Sequence, residues 1–405
     1  MTMGMCVGDI VRSHARHYPN LTAVVHGDLR HTWKELDQRT NRLANGLLKL
    51  GLRKGDRLAI LSPNTLHYWE LFFGLGKSGI IGVPLNVRLH VHELRDYLRY
   101  TGPRALVASP RLLDTAEQLM ADVPSLEHLI VLPGGDRGLG YEEVLASGAA
   151  DDVPVSLAVD DLYMLCATSG TTGTAKAAMM THHNAVQGIL LYLAEGINVQ
   201  PGNAALQVIP MYFNAGGPAQ MYQFGKAGTG VILEEFSPSN FLQAVQEHRI
   251  THTILVPTML NMIVNHPEVE RYDVSSIRCI IMGGSPLPAP LLRRGREIFG
   301  DVFFPRYGMT ETYSLGLLLD RQDQHSDGPE RLTRRLKSAG KPEPGMECRV
   351  VNEQGEDVAW GSGEAGEILL RGPTVCRGYW NLPEETANAL RDGWMHTGDM
   401  ATVDE

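Results

Sequence analysis

Short apolar runs alternate with a segment of helical periodicity in the first third of the chain. In residues 31–52, apolar side chains recur at helical spacing, and Thr32 and Glu35 have the spacing of a capping box at the helix start. Brief apolar runs that are typical of buried strands follow this segment. They are RLAILS at 57–62, GIIGVPLN at 79–86, ALVAS at 105–109 and HLIVL at 128–132. The pattern predicts a parallel sheet that is covered by helices.

A second series of the same kind follows residues 139–159, an acidic stretch with proline that we interpret as a linker. Its apolar runs lie at 161–168, 205–210, 229–235, 252–257, 277–284 and 302–308. From Gly340 onward, short alternating strands and glycine turns indicate a small β-subdomain. We therefore predict an α/β fold with two stacked α/β subdomains of mainly parallel sheets, plus a small β-subdomain near the C-terminus. The predicted units are 1–150, 151–339 and 340–405.

Composition narrows the classes of function. The chain has 405 residues, long enough for roughly two to three domains. Its net charge is -10, and no basic run is interleaved with aromatic residues, so nucleic acid is not expected as a partner. No apolar run reaches the roughly 18 residues of a membrane span. The five cysteines are widely spaced, which favours free thiols and a cytoplasmic location over disulfides or a zinc site.

The loop ATSGTTGTAKAAMM at 167–180 combines glycines, hydroxyl side chains and one lysine between a strand-like and a helix-like segment. Freed backbone N–H groups, hydroxyls and an ammonium group are typical of a phosphate cradle. A Walker A loop requires lysine directly after its second glycine, but Lys176 lies three positions after Gly173. The loop alone therefore predicts an anion site of no defined class, and an ordinary turn is the alternative.

Further segments occur in a fixed order after this loop. They are IPMYFNAGG at 209–217, MGGSPLP at 282–288, RYGMTET at 306–312, GEILLRGPTVCRGYWNLPEET at 366–386 and DGWMHTGD at 392–399. Together with the loop, these segments resemble the acyl-adenylating superfamily of acyl-CoA synthetases, luciferases and peptide-synthetase adenylation domains. The resemblance runs from about residue 7 to the end, and its type is that of an acyl-CoA synthetase.

The resemblance implies roles for individual residues in binding ATP and Mg²⁺. Tyr307 matches the residue that stacks on adenine, Thr310 the contact to the α-phosphate, Glu311 the Mg²⁺ ligand and Asp399 the acceptor for the ribose hydroxyls. A hard oxygen ligand suits Mg²⁺. The implied catalytic residues are Lys176, Thr310 and Glu311. The other implied nucleotide contacts are Thr168, Ser169, Gly170, Thr171, Thr172, Gly173, Lys176, Gly283, Gly284, Ser285 and Gly308.

The segment at 209–217 bears on the acid. Phe213 stands where relatives often have histidine, and Asn214 stands where amino-acid-activating relatives commonly have aspartate. Because a buried ammonium group needs a partner, the neutral Asn214 favours a plain carboxylic acid over an α-amino acid. Aryl, fatty and polycyclic acids are all left open. The predicted pocket consists of Tyr212, Phe213, Asn214, Gly216, Gly217 and Gly308.

The resemblance implies that a carboxylic acid attacks ATP to form an acyl-adenylate and pyrophosphate, normally followed by transfer to CoA. Two alternatives are an adenylating enzyme whose thioester step belongs to a partner protein, and a non-catalytic binding module for nucleotide or acyl-adenylate. A phosphotransferase is disfavoured because neither a Walker lysine nor a kinase loop occurs. A homodimer is also left open.

Two further features carry expectations. Relatives continue past TGDMATVDE through a hinge to a C-terminal domain with a second lysine, so we expect a truncated chain that lacks the CoA step and adenylates slowly. A natural protein without that domain is the alternative. Ala177 stands where relatives usually have glycine. His182 and His183 are expected to cap or pack a helix rather than bind a metal. The basic run at 331–337 is expected to be a solvated surface loop, with contact to a CoA phosphate as the alternative.

Overall fold

A computed structural model describes residues 4–168, 175–194, 197–325 and 328–404. Its α-helices are α1 Val7–His17, α2 Trp33–Lys49, α3 His67–Ser78, α4 Val91–Thr101, α5 Leu113–Asp122, α6 Tyr141–Ser147, α7 His182–Ala194, α8 Pro238–His248, α9 Pro257–Val264, α10 Ala289–Phe299, α11 Glu330–Thr333 and α12 Pro383–Ala389. 

The strands of the first half are β1 Thr22–His26, β2 Leu29–Thr32, β3 Arg57–Leu61, β4 Ile81–Pro84, β5 Ala105–Ala108, β6 His128–Val131, β7 Leu139–Gly140, β8 Leu162–Ala167, β9 Ala177–Thr181 and β10 Ala204–Gln207. The later strands are β11 Thr229–Ile232, β12 Ile250–Leu255, β13 Cys279–Met282, β14 Phe303–Tyr307, β15 Leu317–Leu318, β16 Lys341–Pro342, β17 Glu347–Val351, β18 Gly366–Arg371, β19 Leu390–Arg391 and β20 Trp394–Ala401.

Two large sheets form the body of the molecule. One has the strand order β7-β6-β5-β3-β4-β8-β9 and is parallel except where β9 runs antiparallel to β8. The other has the order β16-β15-β14-β13-β12-β10-β11-β1-β2 and is parallel from β14 to β1. Central strands such as β5 are buried along their whole length, as the apolar runs predict for parallel strands with both faces covered. The predicted α/β class with mainly parallel sheets is confirmed.

Two pairs of strands belong to the large sheet that is formed mainly by the other part of the chain. Strands β1 and β2 lie early in the sequence but extend the nine-stranded sheet, where β1 pairs with β11. Strands β8 and β9 lie after residue 150 but extend the seven-stranded sheet through β4. The boundary predicted at residue 150 therefore does not coincide with a boundary between sheets, because pairing between distant strands leaves no local signal in the sequence.

Helix α3 lies in the shared core, and all twelve of its residues are buried. Its Phe72 carbonyl accepts a hydrogen bond from Tyr163 of β8 at 3.2 Å, and its Trp69 ring packs edge-on against Phe224, which lies in the 3₁₀ helix Pro218–Lys226. A helix whose residues are all buried must be covered on every side. Helix α3 therefore joins the packing of both parts of the molecule into one core.

The small β-subdomain predicted from Gly340 is confirmed as a four-stranded antiparallel sheet of order β17-β18-β20-β19. Its core is a small cluster that contains Ile368, Leu370 and Met395 together with Leu317 of β15 in the nine-stranded sheet. The capping box is also confirmed, since the Glu35 N–H donates to Thr32 Oγ1 and the Thr32 N–H donates to the Glu35 carboxylate at 2.7 Å.

Two local features differ from the prediction. The helix-like segment expected after the loop is α7, which begins at His182, but strand β9 lies between the loop and this helix and was not predicted. The supposed linker at 139–159 begins with β7 and α6. In α6 the buried residues Tyr141, Val144 and Leu145 have helical spacing, but the helix is too short for its periodicity to stand out against the acidic residues around it.

Four of the cysteines are buried and Cys348 is half-buried, and all five are free thiols. Across the described ranges, no helix is long and apolar enough to cross a membrane.

Candidate functional site

The predicted phosphate loop is closed at its base by a hydrogen bond between its two ends. The Thr168 N–H, directly after β8, donates to the Lys176 carbonyl at 2.9 Å. Ser169, Gly170, Thr171, Thr172 and Gly173 lie outside the described residues. The antiparallel pairing of β8 with β9 continues up to this closure. Lys176 therefore leaves the sheet edge at a fixed position, one residue before β9.

A distant segment, residues 376–380, lies alongside β9. Met179 N–H donates to the Gly378 carbonyl at 2.8 Å, and the Arg377 N–H donates back to Met179 at 2.9 Å. The Trp380 N–H donates to the Ala177 carbonyl at 2.9 Å. The segment thus extends the seven-stranded sheet beside the phosphate loop. Ala177 is fully buried in this pairing, so the residue that replaces the usual glycine belongs to a strand.

The Lys176 ammonium group contacts two residues of this region. It forms an ion pair with Glu385 of α12, in which the lysine side chain is 21% exposed and the glutamate side chain 44% exposed. Its Nζ lies 5.0 Å from the centre of the Tyr379 ring, within the range of a cation–π contact. The predicted phosphate-binding lysine is therefore held on one side of its loop before any ligand binds.

Glu311 lies in the 3₁₀ turn Thr310–Thr312 directly after β14. Its carboxylate is buried, and Oε1 accepts a hydrogen bond from the Tyr379 hydroxyl at 2.8 Å. Burial raises the pKa of Glu311, although the hydrogen bond from Tyr379 opposes this shift. The Cys376 N–H donates to the Glu311 carbonyl at 2.6 Å. Thr310 is half-buried in the same turn.

Tyr379 therefore lies between Lys176 and Glu311, two of the three residues predicted to be catalytic. Among the described residues, no group of three or more His, Cys, Asp or Glu side chains is arranged to hold a metal ion. Mg²⁺ in nucleotide sites is commonly bound by one or two carboxylates together with substrate phosphates. The single Glu311 carboxylate fits such a site and does not fit a metal cage made of protein groups alone.

A second group of predicted residues lines a cleft of about 1340 Å³. Tyr307 at the end of β14 donates a hydrogen bond from its hydroxyl to Asp399 Oδ2 of β20 at 2.6 Å. Burial and then this hydrogen bond raise the pKa of Tyr307. The residues implied to bind adenine and ribose are thus in direct contact across the cleft. The predicted members of its lining are Gly284, Ser285, Tyr307, Gly308 and Asp399.

Two glycines follow β13 at the edge of this cleft. A methyl group at Gly283 would meet nothing nearer than the Arg306 carbonyl at 3.7 Å, so this position has room on its protein side. Gly284 has a φ of +81°, a left-handed conformation that strongly favours glycine. The turn is therefore set by Gly284, while the missing side chain at Gly283 leaves space for a flat base.

The predicted acid pocket divides into exposed and buried residues. The ring of Phe213 is 42% exposed, whereas Tyr212 and Asn214 are buried. Asn214 donates to Ser314 Oγ at 2.8 Å, and the Cys166 thiol donates to Asn214 Oδ1 at 3.9 Å. Both polar groups of the Asn214 amide are therefore hydrogen-bonded within the protein. The amide is neutral and offers no charge to a substrate ammonium group.

The glycines of this pocket have a structural role of their own. A methyl group at Gly216 would lie 2.1 Å from the Pro210 carbonyl oxygen, and one at Gly217 would lie 2.3 Å from the Met211 carbonyl oxygen. One at Gly308 would lie 2.5 Å from the carbonyl carbon of Ser314. Close backbone approach therefore requires glycine at all three positions, and the loop folds tightly on itself.

Several charged and aromatic residues near the candidate site are not predicted by the sequence. Tyr379 and Glu385 belong to a quoted segment, but their contacts with Lys176 depend on tertiary structure. Arg306 and Glu343 form a buried ion pair at 2.7 Å beside the cleft, and Glu343 accepts from the Gly316 N–H at 2.8 Å. Nothing in their spacing indicates this pair.

Two minor predictions have different outcomes. His182 is fully buried, its Nδ1 accepts from the Val7 N–H at 3.3 Å, and burial lowers its pKa to about 4, as expected of a packing residue. The basic run at 331–337 is not simply a solvated loop. Arg334, Leu336 and Lys337 line the cleft. Because Leu336 is buried, it anchors this turn to the protein.

Comparison with known proteins identifies the class to which this fold and site belong. The model of the AMP-binding enzyme family matches residues 11–380. The inhibitor-bound N-terminal domain of FACL13 from Mycobacterium tuberculosis superposes with a TM-score of 0.90 at 27% sequence identity, covering 99% of this chain and 98% of that one.

Two curated relatives are similar over nearly the whole chain. A feruloyl-CoA synthase from Amycolatopsis sp is 39% identical over 393 residues, which cover 96% of this chain and 74% of the synthase. A fatty acid–acyl-carrier-protein ligase from Streptomyces coeruleorubidus is 32% identical over 398 residues, covering 97% of this chain and 74% of the ligase. The chain belongs to the AMP-binding enzyme family of the acyl-adenylating superfamily, in its acyl-CoA synthetase branch.

Proposed function

We propose that the protein activates a plain carboxylic acid with ATP, forming an acyl-adenylate and pyrophosphate, and that the acyl group then passes to CoA. The observation that carries this proposal is the meeting of Lys176 and Glu311 at Tyr379, beside a cleft in which Tyr307 contacts Asp399. This arrangement offers a cation and a carboxylate for a metal-bound triphosphate, and an aromatic ring and a carboxylate for a nucleoside.

In the first step, an oxygen of the substrate carboxylate attacks the α-phosphorus of ATP. A bond forms between that oxygen and phosphorus, and the bond between the α-phosphorus and the bridging oxygen to the β-phosphate breaks. Because the attacking carboxylate is already ionised near neutral pH, no protein base is required. Catalysis rests on positioning and on charge stabilisation, and the Lys176 ammonium group neutralises charge that develops on the pyrophosphate.

The remaining residues bind and orient ATP. Glu311 would hold Mg²⁺, which supplies positive charge to the phosphate oxygens when it is bound. Thr310 lies beside Glu311 and would contact the α-phosphate. Tyr307 would present its ring to adenine, and Asp399 would accept hydrogen bonds from the ribose hydroxyls. Since Tyr307 and Asp399 contact each other, one nucleoside can engage both.

In the second step, the CoA thiol loses its proton to solvent and its sulfur attacks the acyl carbonyl. A carbon–sulfur bond forms, the bond between the carbonyl carbon and the phosphate oxygen breaks, and AMP leaves. The feruloyl-CoA synthase relative supports CoA as the acceptor. The acyl-carrier-protein ligase relative supports a second candidate function, in which a carrier protein provides the thiol.

Carboxylate-dependent exchange of labelled pyrophosphate into ATP tests the first step. The protein would be assayed with ferulic acid, a fatty acid and an α-amino acid. We expect exchange with ferulic acid or the fatty acid, and none with the amino acid, because Asn214 offers no charge to an ammonium group. Measurable ATP binding without exchange for any acid would instead indicate a non-catalytic binding module.

Thioester formation in the same mixture separates the two acceptors. CoA and an acyl-carrier protein would be offered in parallel with the acid that gives the fastest exchange. Product with CoA supports the proposal. Product with the carrier protein alone would support the second candidate function.

A further inference from the structure

The segment 376–386 contacts both charged groups of the candidate phosphate site. Tyr379 donates to Glu311 at 2.8 Å with its hydroxyl, and its ring faces the Lys176 ammonium group at 5.0 Å. Glu385 forms an ion pair with the same lysine. We propose that Tyr379 and Glu385 are positioning residues of the ATP site. Tyr379 orients the Glu311 carboxylate toward Mg²⁺. Glu385 holds the Lys176 ammonium group until the triphosphate replaces the Glu385 carboxylate as its partner. This inference rests on the proposed function.

The backbone fixes Tyr379 independently of any ligand. Its neighbours Gly378 and Trp380 are hydrogen-bonded to β9, and the Tyr100 hydroxyl donates to the Trp380 carbonyl. The Tyr379 N–H donates to Thr386 Oγ1 at 2.9 Å. Because both the sheet and α12 hold this residue, the phenol is already in place when ATP arrives. Preorganisation of this kind lowers the cost of ordering a site during binding.

The hydrogen bond from Tyr379 occupies one oxygen of the Glu311 carboxylate. A carboxylate with a single anchored oxygen cannot rotate without losing a buried hydrogen bond. Such outer partners orient metal ligands, and their removal lowers metal affinity. Tyr379 therefore acts on Mg²⁺ through Glu311 and does not itself contact ATP.

The ion pair between Glu385 and Lys176 is suited to exchange. The glutamate side chain is 44% exposed, and solvent screens an ion pair at such a site. A triphosphate carries several negative charges and can replace one half-exposed carboxylate as the partner of Lys176. Glu385 thus competes with ATP, and its charge lowers the affinity for ATP while preventing Lys176 from adopting other positions.

Two conservative variants test Tyr379. Tyr379→Phe removes the hydroxyl and keeps the ring, whereas Tyr100→Phe removes another hydroxyl that holds the same segment but does not contact Glu311. ATP binding would be measured by calorimetry over a range of Mg²⁺ concentrations. We expect Tyr379→Phe to raise the Mg²⁺ concentration for half-maximal binding about tenfold, the size of one hydrogen bond to a charged group. Tyr100→Phe should leave it unchanged.

A purely structural role predicts a different result. In that case both tyrosine variants would lower the melting temperature, and both would bind ATP with the same Mg²⁺ dependence as the unmodified protein. This result would overturn the inference for Tyr379. Because the measurement is binding, it does not depend on exchange activity. Failure of every acid in the exchange assay would overturn the proposed function separately.

Glu385→Gln tests the ion pair, with the exposed neighbour Glu384→Gln as the matched control. Loss of the competing charge should lower the Kd for ATP about threefold, within the range of an exposed ion pair. It should also lower the Kd for inorganic pyrophosphate by a similar factor. Glu384→Gln should change neither value. Unchanged or weaker ATP binding in Glu385→Gln would show that Glu385 does not compete with the triphosphate for Lys176.

Discussion

At the scale of single residues, the two charged groups proposed to bind the phosphates of ATP each lie next to the end of a strand. Lys176 leaves the seven-stranded sheet before β9, and Glu311 follows the end of β14 in the nine-stranded sheet. The two residues come from different sheets, and Tyr379 bridges them. Residues from both sheets thus converge on the proposed phosphate site, and neither sheet alone provides both charged groups.

Substitution of the two charged groups should affect exchange far more than substitution of a nearby histidine. Lys176→Ala and Glu311→Gln are each expected to lower the kcat of carboxylate-dependent pyrophosphate exchange about 10²-fold or more, since each removes charge stabilisation of the leaving group. His183→Ala is the control, because its N–H donates to the Val159 carbonyl through the backbone and its side chain has no assigned role. Equal exchange rates in all three variants would refute the site assignment.

Two glycine substitutions should separate folding from binding. In Gly216→Ala the new methyl would lie 2.1 Å from the Pro210 carbonyl oxygen, so we expect the free energy of unfolding to fall by about 1–3 kcal/mol. In Gly283→Ala the nearest atom is 3.7 Å away, so stability should hold while the methyl obstructs the base. Urea denaturation and ATP titration of both variants test this contrast. Weakened ATP binding without loss of stability in Gly216→Ala would contradict it.

At the scale of elements, the sequence predicts those whose signal is local. Strands β3 to β6, β8 and β10 to β14 and the capping box of α2 were predicted because buried strands are apolar runs and capping residues are three positions apart. Strands β1, β2, β7, β9, β15 and β16 were not predicted. Strand β9 was not predicted, because its apolar residues do not alternate with polar ones. The pairing of residues 376–380 with β9 joins segments about two hundred positions apart, so no periodicity reveals it.

Most residues of the candidate site were predicted from the order of the sequence motifs, and not from the spacing of chemical groups within any one motif. The cleft brings Tyr307 and Asp399 into contact, although the two residues are far apart in the chain. The roles of individual residues remain predictions that the variants above would test. Tyr379 was missed because its importance comes from two tertiary contacts. A tyrosine in a glycine-rich segment has no chemical signature of its own.

A buried carboxylate joins helices α2, α3 and α6 and should make stability depend on pH. Glu70 of α3 is fully buried, is ion-paired with Arg39 of α2 and accepts a hydrogen bond from the Tyr141 hydroxyl of α6 at 2.8 Å. Burial opposes its ionisation, but hydrogen bonds from His31 and Arg39 prevail and lower its pKa to about 2 from 4.5. Glu70 therefore stabilises the fold above pH 4.5, and this contribution is lost as the pH falls through 2.

Glu70→Gln tests this linkage. At pH 7 the variant should be less stable than the unmodified protein by about 3 kcal/mol, which is the free energy that corresponds to the pKa shift. At pH 3 the difference should be smaller, because the unfolded protein then binds a proton at Glu70 that the folded protein does not. Urea denaturation of both proteins at the two pH values gives the comparison. A difference of equal size at both would contradict the linkage.

At the scale of the whole molecule, the two large sheets share one hydrophobic core. The same cluster contains Leu58 of β3, Tyr163 of β8 and Leu206 of β10, and it includes six of the twelve residues of helix α3. The outer face of the seven-stranded sheet has a second cluster, and the small antiparallel sheet has two minor ones. Since cooperativity follows shared buried surface, the large sheets should unfold as one unit.

Hydrogen exchange at increasing urea concentration tests this division. Peptides from β3–β5 and from β10–β13 should lose protection at the same midpoint, because removal of either sheet would expose α3 and the core that both share. Peptides from β18 and β20 should lose protection at a lower midpoint, since the hydrophobic cluster that holds these strands is small. MgATP should narrow the gap, because Asp399 of β20 and Tyr307 of β14 would both bind the nucleoside and so couple the small sheet to the nine-stranded one. Separate midpoints for the two large sheets would show that the strands exchanged between them do not make them one folding unit.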